Sequence, residues 1–312
     1  MSTFRAFLEA QYPGATVHEL SGSNNLVYRV ESADGVVVAK HVTDTDIPLG
    51  WLAEANARLA ARVPTQRILR VCETARGDDA DAVFGEYVEG RNLAEALVDG
   101  EGLPPTGDLV AALRDFALAC RELPRLHDGF RMYKREAPAL DGHVAFVEHY
   151  ARRYWGRVRP FYDGTRVGAA VDDWLSGGFA AALARHPAAY TTVAIDANLK
   201  NFVVTPQGRV VVLNVPIAAL STPAQAVGAI SAHLRHREPY RPFLAEAAES
   251  VCPDDAALVP HFELWALLGI MSFYAVREPE HKDRWRNWGS PVTLDEDFRT
   301  LVETHLNEPV AR

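Results

Sequence analysis

The stretch Ala194-Ile-Asp-Ala-Asn-Leu-Lys-Asn-Phe-Val-Val204 places an aspartate, Asp196, five residues before an asparagine, Asn201, at the start of an apolar run. A second run, Arg209-Val-Val-Val-Leu-Asn214, follows the turn Pro206-Gln-Gly208, so the segment predicts two short strands joined by a tight turn. Alanine- and leucine-rich helical patterns lie on both sides of it. The segment therefore predicts a small strand pair, with Asp and Asn side chains at its ends, inside a mainly helical lobe.

The residues before position 90 have a pattern that is more typical of strands than of helices. Two valine-rich runs flank the turn Ala33-Asp-Gly35 and predict a β-hairpin over Leu26–Val42, because β-branched residues suit a pleated sheet and Asp-Gly suits a tight turn. Apolar residues at three- and four-residue spacing then predict a helix over Trp51–Arg62. A second strand pair is predicted at Ile68–Cys72 and Asp81–Tyr87. Residues 1–89 are thus predicted to form a strand-rich lobe.

The remaining residues, 90–312, are predicted to form a mainly helical lobe, with the boundary at Glu89-Gly90. The helical patterns are Asp108–Leu126, His143–Tyr154, Val167–Ala184, Val227–His236, Pro242–Ala248 and Leu258–Val276. A chain of 312 residues, 48% of them apolar, is long enough for two such lobes with a sizeable core. The expected fold class is α+β.

Charge and cysteine content narrow the class of partner. The formal net charge of -9 argues against nucleic acid, because binding to a phosphate backbone needs a basic surface. The three cysteines are widely spaced and favour neither disulfides nor a thiolate zinc site, so a reducing cytoplasm is the expected location. We find no apolar run of the ~20 residues that a spanning helix needs. The charged N-terminus does not fit a signal peptide, so no membrane insertion is expected.

Three features of the first lobe carry polar groups. Ser21-Gly-Ser-Asn-Asn25, with Ser23 and Asn24 at its centre, enters the hairpin and is either an ordinary turn or one that directs N–H groups at phosphate oxygens. Lys40 ends the second hairpin strand, either as an edge-strand charge or as a cation for phosphates. Glu54 lies on the following helix, either as a surface residue or as an ion-pair partner of the lysine.

The segment Val83-Phe-Gly-Glu-Tyr-Val-Glu-Gly90 joins the last strand of the first lobe to the helical lobe. It resembles the hinge of kinase-like phosphotransferases. The order of turn, lysine, glutamate, hinge and the Asp196/Asn201 pair is similar to that of the aminoglycoside phosphotransferase family. That family commonly has Glu-Tyr-Val/Ile-x-Gly at the hinge and an extra helical segment before the catalytic loop, which Phe130–Pro187 fits. The resemblance covers nearly the whole chain.

The resemblance implies a protein-kinase-like bilobal fold, with a small strand-rich N-terminal lobe and a larger, mainly helical C-terminal lobe. It implies that ATP binds in the cleft between the lobes. The residues that it assigns to nucleotide binding are Ser23, Asn24, Lys40, Glu54 and, through backbone groups, Glu86 and Val88. It also implies that Asp196 accepts the proton of the acceptor hydroxyl, and that Asn201 and Asn214 hold Mg²⁺.

Three positions depart from the family pattern. Ala194 stands where a histidine usually precedes the catalytic aspartate by two residues, so a hydrogen bond that braces the loop is lost. Asn214 replaces the metal-binding aspartate of a sequence like Ile-Asp-Trp. Its amide oxygen can coordinate Mg²⁺, but the site loses one negative charge and its affinity for the ion should fall. Ala226 stands where a structural carboxylate is expected.

Two interpretations of the cleft follow. In the first, the chain is an ATP-dependent phosphotransferase that phosphorylates a hydroxyl of a small molecule or modified peptide, as in antibiotic modification or natural-product tailoring. In the second, it is a pseudokinase that binds a nucleotide, a peptide or a partner protein without phosphoryl transfer. The joint presence of Lys40, Glu54, Asp196 and Asn201 favours the enzyme.

Two arginine-rich stretches of the helical lobe bear on the acceptor. Tyr150–Tyr162 holds four arginines and five aromatic residues, and is expected to form an amphipathic helix rather than to bind an acidic or aromatic acceptor. His233–Arg241 is expected to be a solvated helix end. Three acidic residues, Asp172, Asp173 and Glu263, are candidates for an acidic acceptor pocket and are equally expected at the surface.

Overall fold

The computed structural model describes residues 3–20, 26–42, 48–72, 81–125, 127–132, 137–186, 189–195, 198–213, 218–287 and 290–306. Its N-terminal elements are α1 (Thr3–Gln11), β1 (Thr16–Leu20), β2 (Val27–Ser32), β3 (Gly35–His41), α2 (Leu49–Ala60), β4 (Ile68–Cys72) and β5 (Ala82–Glu86). The strands form an antiparallel sheet in the order β1-β2-β3-β5-β4. The hairpin predicted around Asp34-Gly35 is confirmed, with Ser32 opposite Gly35.

Helix α1 covers one face of this sheet. Phe4 and Leu8 pack with Tyr28, Val30 and Phe84, and each of these side chains is at most 2% exposed. Burial of one such side chain stabilises the fold by roughly 1.5–3 kcal/mol relative to exposure. Because side chains alternate along a strand, the intervening residues of β2, β3 and β5 lie on the opposite face.

The C-terminal part is mainly helical, as predicted. Its elements are β6 (Arg91–Asn92), α3 (Leu93–Asp99), α4 (Thr106–Cys120), α5 (His143–Val158), α6 (Arg166–Asp173), α7 (Phe179–Arg185), β7 (Thr191–Ala194), β8 (Phe202–Val204), β9 (Val210–Val212), β10 (Ala218–Ser221), α8 (Pro223–Leu234), α9 (Arg241–Val251), α10 (Val259–Arg277) and α11 (Leu294–His305). Strands β6, β8 and β9 form one small sheet, and β7 pairs with β10. The strand pair predicted after Asn201 is confirmed as β8 and β9.

Helices α8 and α10 cross at the centre of this part. All residues of α8 from Ala224 to Leu234 are buried. Gly228 allows the close crossing, since a Cβ there would lie 2.6 Å from the Cβ of Phe262 in α10. Contrary to the expectation from sequence, Ala256–Arg277 is long and apolar enough to cross a membrane by length and composition, and 56% of its most apolar stretch is buried inside the protein. Its packing against α8 is that of a core helix.

The helical stretch predicted over Val167–Ala184 is confirmed, but it is not one regular α-helix. Helices α6 and α7 are separated by a wide π-type turn over Trp174–Gly178. This turn contains Ser176-Gly-Gly178, and glycine favours a regular helix less than other residues because it has more conformational freedom to lose.

The prediction of a solvated helix end after α8 is wrong. His233 is buried, the side chain of His236 is 7% exposed, and Arg235 binds the buried carboxylates of Glu263 and Asp297. Burial lowers the pKa of His236 to about 4. Glu263 is therefore a core residue of α10 and not a surface or acceptor carboxylate.

The expectation for Tyr150–Tyr162 is confirmed. Tyr150, Trp155 and Tyr162 are buried, while the arginines at 152 and 153 face outward from α5. The Trp155 Nε1–H donates to Asp172 at 2.7 Å, and Arg159 pairs with the same carboxylate at 3.1 Å. Asp172 is therefore already held by neighbours on its own lobe.

Candidate functional site

Lys40 lies on the sheet face opposite α1. It pairs with Val27 of β2 and Val83 of β5, and residues directly opposite in antiparallel strands share a face. Burial lowers the pKa of the Lys40 amine below its ordinary value. An ammonium group in this partly desolvated position attracts an anionic ligand more strongly than one in bulk water, because charges interact more strongly where the dielectric constant is lower.

A second cation, Arg29, lies on the same face, and the sequence analysis did not select it. Arg29 pairs with Val38, two residues before Lys40, and its guanidinium carbon lies 4.6 Å from the ring centroid of Tyr87 in the hinge. One of its nitrogens is 3.0 Å from Glu31. The alternation of Val27, Tyr28 and Arg29 along β2 is the sequence signal that identifies this face.

The expected ion pair between Lys40 and Glu54 is corrected by the structure. Among the described residues, the Glu54 carboxylate pairs with Arg58, one helical turn further along α2, at 2.5 Å, and its side chain is 53% exposed. The buried face of α2 carries Leu49, Ala55, Asn56 and Leu59 instead. Since Glu54 is the sole acidic residue of α2, the helix offers no carboxylate to the inner face.

Asn56 is the polar residue on that inner face, and it has a structural role. Its side-chain amide donates to the Gln66 carbonyl at 2.9 Å and accepts from the Ile68 N–H at 2.8 Å. These two bonds fix the start of β4 to α2. The helix is fixed to the C-terminal part as well, since Trp51 Nε1–H donates to the Pro124 carbonyl at 3.1 Å and Arg62 pairs with Glu122 at 2.8 Å.

The hinge follows β5, as expected, but the backbone of Glu86 is already engaged. Its N–H donates to the Arg67 carbonyl at 3.0 Å, and its carbonyl accepts from Gln66 Nε2–H at 2.6 Å. Both groups therefore lie on the β4 side of the strand. An adenine contact through the Glu86 carbonyl would use the second lone pair of that oxygen. The roles of Glu86 and Val88 at adenine stay predictions.

Asn201 ends a short 3₁₀ turn, Leu199–Asn201, directly before β8. The side chain of Asn198 caps this turn by accepting from the Lys200 N–H at 3.0 Å. The Asn201 carbonyl accepts from the Leu213 N–H at 2.8 Å, so the residue before Asn214 in the chain lies beside Asn201. The hairpin thus brings Asn201 and Leu213 together.

Four predicted site residues, Ser23, Asn24, Asp196 and Asn214, lie outside the described residues. Their roles stay predictions, as do those of Lys40 and Asn201. Within the residues that the structure describes, no group of three or more His, Cys, Asp and Glu side chains is arranged to hold a metal ion. The donors predicted for Mg²⁺ are amide oxygens, which such a grouping does not include.

Two of the three departures from the family pattern are packing positions. Ala194 is buried in β7, opposite Ala218 of β10, and Ala226 is buried within α8. A histidine at position 194 or a carboxylate at position 226 would lose hydration and would need a hydrogen-bond partner. The carboxylate that this region does contain is Asp255. Burial raises the pKa of Asp255, and a hydrogen bond from the Ala224 N–H at the start of α8 opposes that rise.

No protein-family model and no curated protein sequence matches the chain. Solved structures do match over nearly its whole length. A thermostable mutant of aminoglycoside phosphotransferase APH(4)-Ia, in ternary complex with ADP and hygromycin B, has a TM-score of 0.67 at 15% identity, over 99% of this chain and 100% of that chain. Choline kinase LicA from Streptococcus pneumoniae has a TM-score of 0.59 at 12% identity, over 97% and 98%. A choline/ethanolamine kinase family protein from Mesorhizobium loti has a TM-score of 0.59 at 18% identity, over 98% of this chain and 94% of that chain.

These likenesses extend across both the strand-rich sheet and the helical part. The identities are too low to carry over an activity, but the coverage is complete enough to identify the architecture. The chain has the kinase-like fold that aminoglycoside phosphotransferases and choline kinases share, with a small antiparallel N-terminal part and a larger helical C-terminal part.

Proposed function

We propose that this protein is an ATP-dependent phosphotransferase that acts on a hydroxyl of a small molecule or of a modified peptide. The observation that carries the proposal is the position of Lys40 on the sheet face opposite α1, with its amine partly desolvated. The fold supports it, because the proteins that share it include an aminoglycoside phosphotransferase in complex with ADP and hygromycin B.

In this proposal the triphosphate lies against the Lys40 face, and the turn that contains Ser23 and Asn24 directs N–H groups at its oxygens. Asp196 takes the proton from the acceptor hydroxyl while the hydroxyl oxygen forms a bond to the γ-phosphorus. The bond between that phosphorus and the β–γ bridging oxygen breaks, and ADP leaves. Mg²⁺, held through the amide oxygens of Asn201 and Asn214, would neutralise charge on the phosphates.

The second candidate is a pseudokinase that binds a nucleotide, a peptide or a partner protein. Two observations favour it. The Glu54 carboxylate pairs with Arg58, so α2 does not supply the ion pair that holds the lysine in the related pattern. The predicted metal position 214 is an asparagine, which contributes no charge. Both features would impair phosphoryl transfer more than nucleotide binding.

Thermal unfolding with and without ATP and Mg²⁺ tests the nucleotide site. We expect the melting temperature to rise in the wild type and the rise to be lost in Lys40→Ala. Arg70→Ala is the matched control, because Arg70 lies 4.3 Å from the ring of Phe84 on the face covered by α1. No shift at millimolar nucleotide, or an equal loss in both variants, would remove the nucleotide site.

Phosphate incorporation separates the two candidates. A screen of amino sugars, nucleosides, small alcohols and hydroxyl-bearing peptides with labelled ATP should reveal an acceptor. Asp196→Ala should then abolish incorporation while the ATP-induced thermal shift stays nearly unchanged. Undiminished transfer in Asp196→Ala would contradict the assignment of the base. Nucleotide binding without transfer to any acceptor would favour the pseudokinase.

Asn214→Asp tests the metal position. The added carboxylate should increase the dependence of the nucleotide-induced shift on Mg²⁺, because Mg²⁺ binds a charged oxygen more tightly than an amide oxygen. Titration of MgCl₂ at fixed ATP measures this directly. An identical metal response in the two proteins would mean that residue 214 does not face the ion.

A further inference from the structure

A cavity of about 290 Å³ lies behind the hinge. The end of α2, the connection from α2 to β4, the hinge and β9 all contribute to it. Its lining residues are Ala60, Pro64, Thr65, Arg67, Glu86, Val88, Arg209 and Val211. The cavity therefore has walls from both the N-terminal and the C-terminal parts, at the segment that joins them.

This cavity is separate from the Lys40 face. In the sheet, β5 lies between β3, which carries Lys40, and β4. The backbone groups of Glu86 hydrogen-bond toward Gln66 and Arg67 on the β4 side, away from β3. The cavity residues at positions 64–67 belong to that same side. A ligand held by side chains at positions 64–67 and 209 would therefore lie on the β4 side of the hinge, whereas the adenine contact assigned to Glu86 and Val88 uses their backbone groups.

The charges at the rim of the cavity favour an anion. Arg209 is exposed, and its guanidinium forms no ion pair with any residue in the described part of the chain. Arg67 pairs with Glu86, with its Nε 2.8 Å from the carboxylate. The hydrogen bond from Arg67 also lowers the pKa of Glu86, which keeps that carboxylate ionised. Two guanidinium groups and one carboxylate leave one positive charge at the rim.

The remaining lining is apolar except for Thr65, and backbone hydrogen bonds hold it in place. Ala60, Pro64, Val88 and Val211 present aliphatic surface to the cavity. The Gln66 N–H donates to the Val212 carbonyl at 2.7 Å, and the Val212 N–H donates to the Pro64 carbonyl at 2.9 Å. The α2–β4 connection is thus fixed against β9, and a ligand would enter a site that needs little reorganisation.

We propose that this back-of-hinge cavity binds a small organic anion, with a carboxylate or phosphate group at Arg209 and an apolar body against Pro64, Val88 and Val211. Arg209 supplies the planar pair of donors that carboxylates and phosphates accept. Arg67 is paired with Glu86, so the net positive charge at the rim is that of Arg209. Inorganic phosphate lacks the apolar body, and phenol lacks the charge, so neither should bind as well.

Isothermal titration calorimetry of the full chain tests the proposal with benzoate and phenyl phosphate, with inorganic phosphate and phenol as controls. We expect saturable binding of the two organic anions, and a loss of affinity of at least ~10-fold in Arg209→Ala, since one hydrogen bond to a charged group contributes about 1.5–3 kcal/mol. Arg209→Glu should abolish binding. Arg284→Ala removes an exposed arginine elsewhere and should bind as the wild type does.

The variant Lys40→Ala separates this site from the nucleotide cleft. Binding of benzoate and phenyl phosphate should be unchanged in Lys40→Ala, whether or not the proposed function holds. Three results would overturn the proposal. These are no saturable binding up to ~10 mM, unchanged affinity in both Arg209 variants, or loss of binding in Lys40→Ala.

Discussion

Replacement of Arg235 by methionine should destabilise the protein more than the loss of any surface ion pair. The side chain of Arg235 is 16% exposed, and it binds Asp297 of α11 and Glu263 of α10, which are 2% and 7% exposed. Without Arg235, both carboxylates stay buried with no guanidinium partner. Breaking a buried pair in this way costs about 3–5 kcal/mol of unfolding free energy. The control Arg159→Met removes a half-exposed arginine paired with Asp172 and should cost at most ~1 kcal/mol.

The loss in Arg235→Met should also depend on pH. Burial raises the pKa of both Asp297 and Glu263, and Arg235 opposes that rise. A carboxyl group whose pKa is higher in the folded than in the unfolded state makes the protein less stable as the pH rises. The loss begins near the pKa in the unfolded state, about 4, and is complete above the pKa in the folded state. Without Arg235 both pKa values rise further, at ~1.4 kcal/mol per unit. The destabilisation should therefore be larger at pH 8 than at pH 5.

Urea unfolding of the wild type, Arg235→Met and Arg159→Met at both pH values measures these effects. The double variant with Asp297→Asn should recover part of the loss at pH 8, because it removes one of the two stranded charges. His236 lies 3.9 Å from Asp297, and in the wild type burial lowers its pKa to about 4. Arg235 also lowers this pKa, so protonation of His236 in Arg235→Met would compensate Asp297 at pH 5 rather than at pH 8, which acts in the same direction. A loss in Arg235→Met no larger than in the control, or equal at both pH values, would refute the reasoning.

Backbone packing gives three further predictions. Gly228→Ala would place a methyl 2.6 Å from Phe262, so we expect a lower melting temperature and a loss of about 1–3 kcal/mol of unfolding free energy. The control is Gly156→Ala in α5, where a Cβ would have no atom within 4 Å; it should be neutral or stabilising in the same assay. Gly90→Ala would combine φ +151° with a contact of 2.3 Å to a carbonyl oxygen of β8, and should be the most destabilising glycine substitution in urea unfolding. Asn56→Ala should leave two backbone groups unpaired, cost about 1–3 kcal/mol, and speed amide exchange at the first N–H of β4.

The sequence predicts those strands, turns and helix ends that are determined by residues close together in the chain. The hairpin at Asp34-Gly35 and the strands beside Pro206-Gln-Gly208 follow from alternation and turn residues, and both are confirmed. Helix α11 also has a local signal, since Thr293 and Glu296 form a capping box at its start. A chemical signal within four residues is enough in such cases, because the atoms that decide the conformation are neighbours in the chain.

The side chains that face inward depend on distant residues instead. On α2, the sequence favoured Glu54 as the functional residue, whereas the helix turns Asn56 inward to bind the start of β4. After α8, the basic run predicts a solvated end. The burial of Arg235 becomes acceptable only because α10 and α11 supply carboxylates from far along the chain. The charge of one segment cannot determine its burial when its counter-charges lie elsewhere in the sequence.

The same dependence sets the electrostatics of the proposed nucleotide cleft. Arg29 and Lys40 share one sheet face, while the carboxylate expected to pair with Lys40 is bound to Arg58 on the outside of α2. At position 214 the sequence has an asparagine, so the proposed metal site would also have one negative charge fewer than the family pattern. Both changes make the net charge of the proposed cleft more positive than in the family pattern. A triphosphate in this cleft would therefore depend more on direct contact with protein cations, and less on a bridging Mg²⁺, than the family pattern implies.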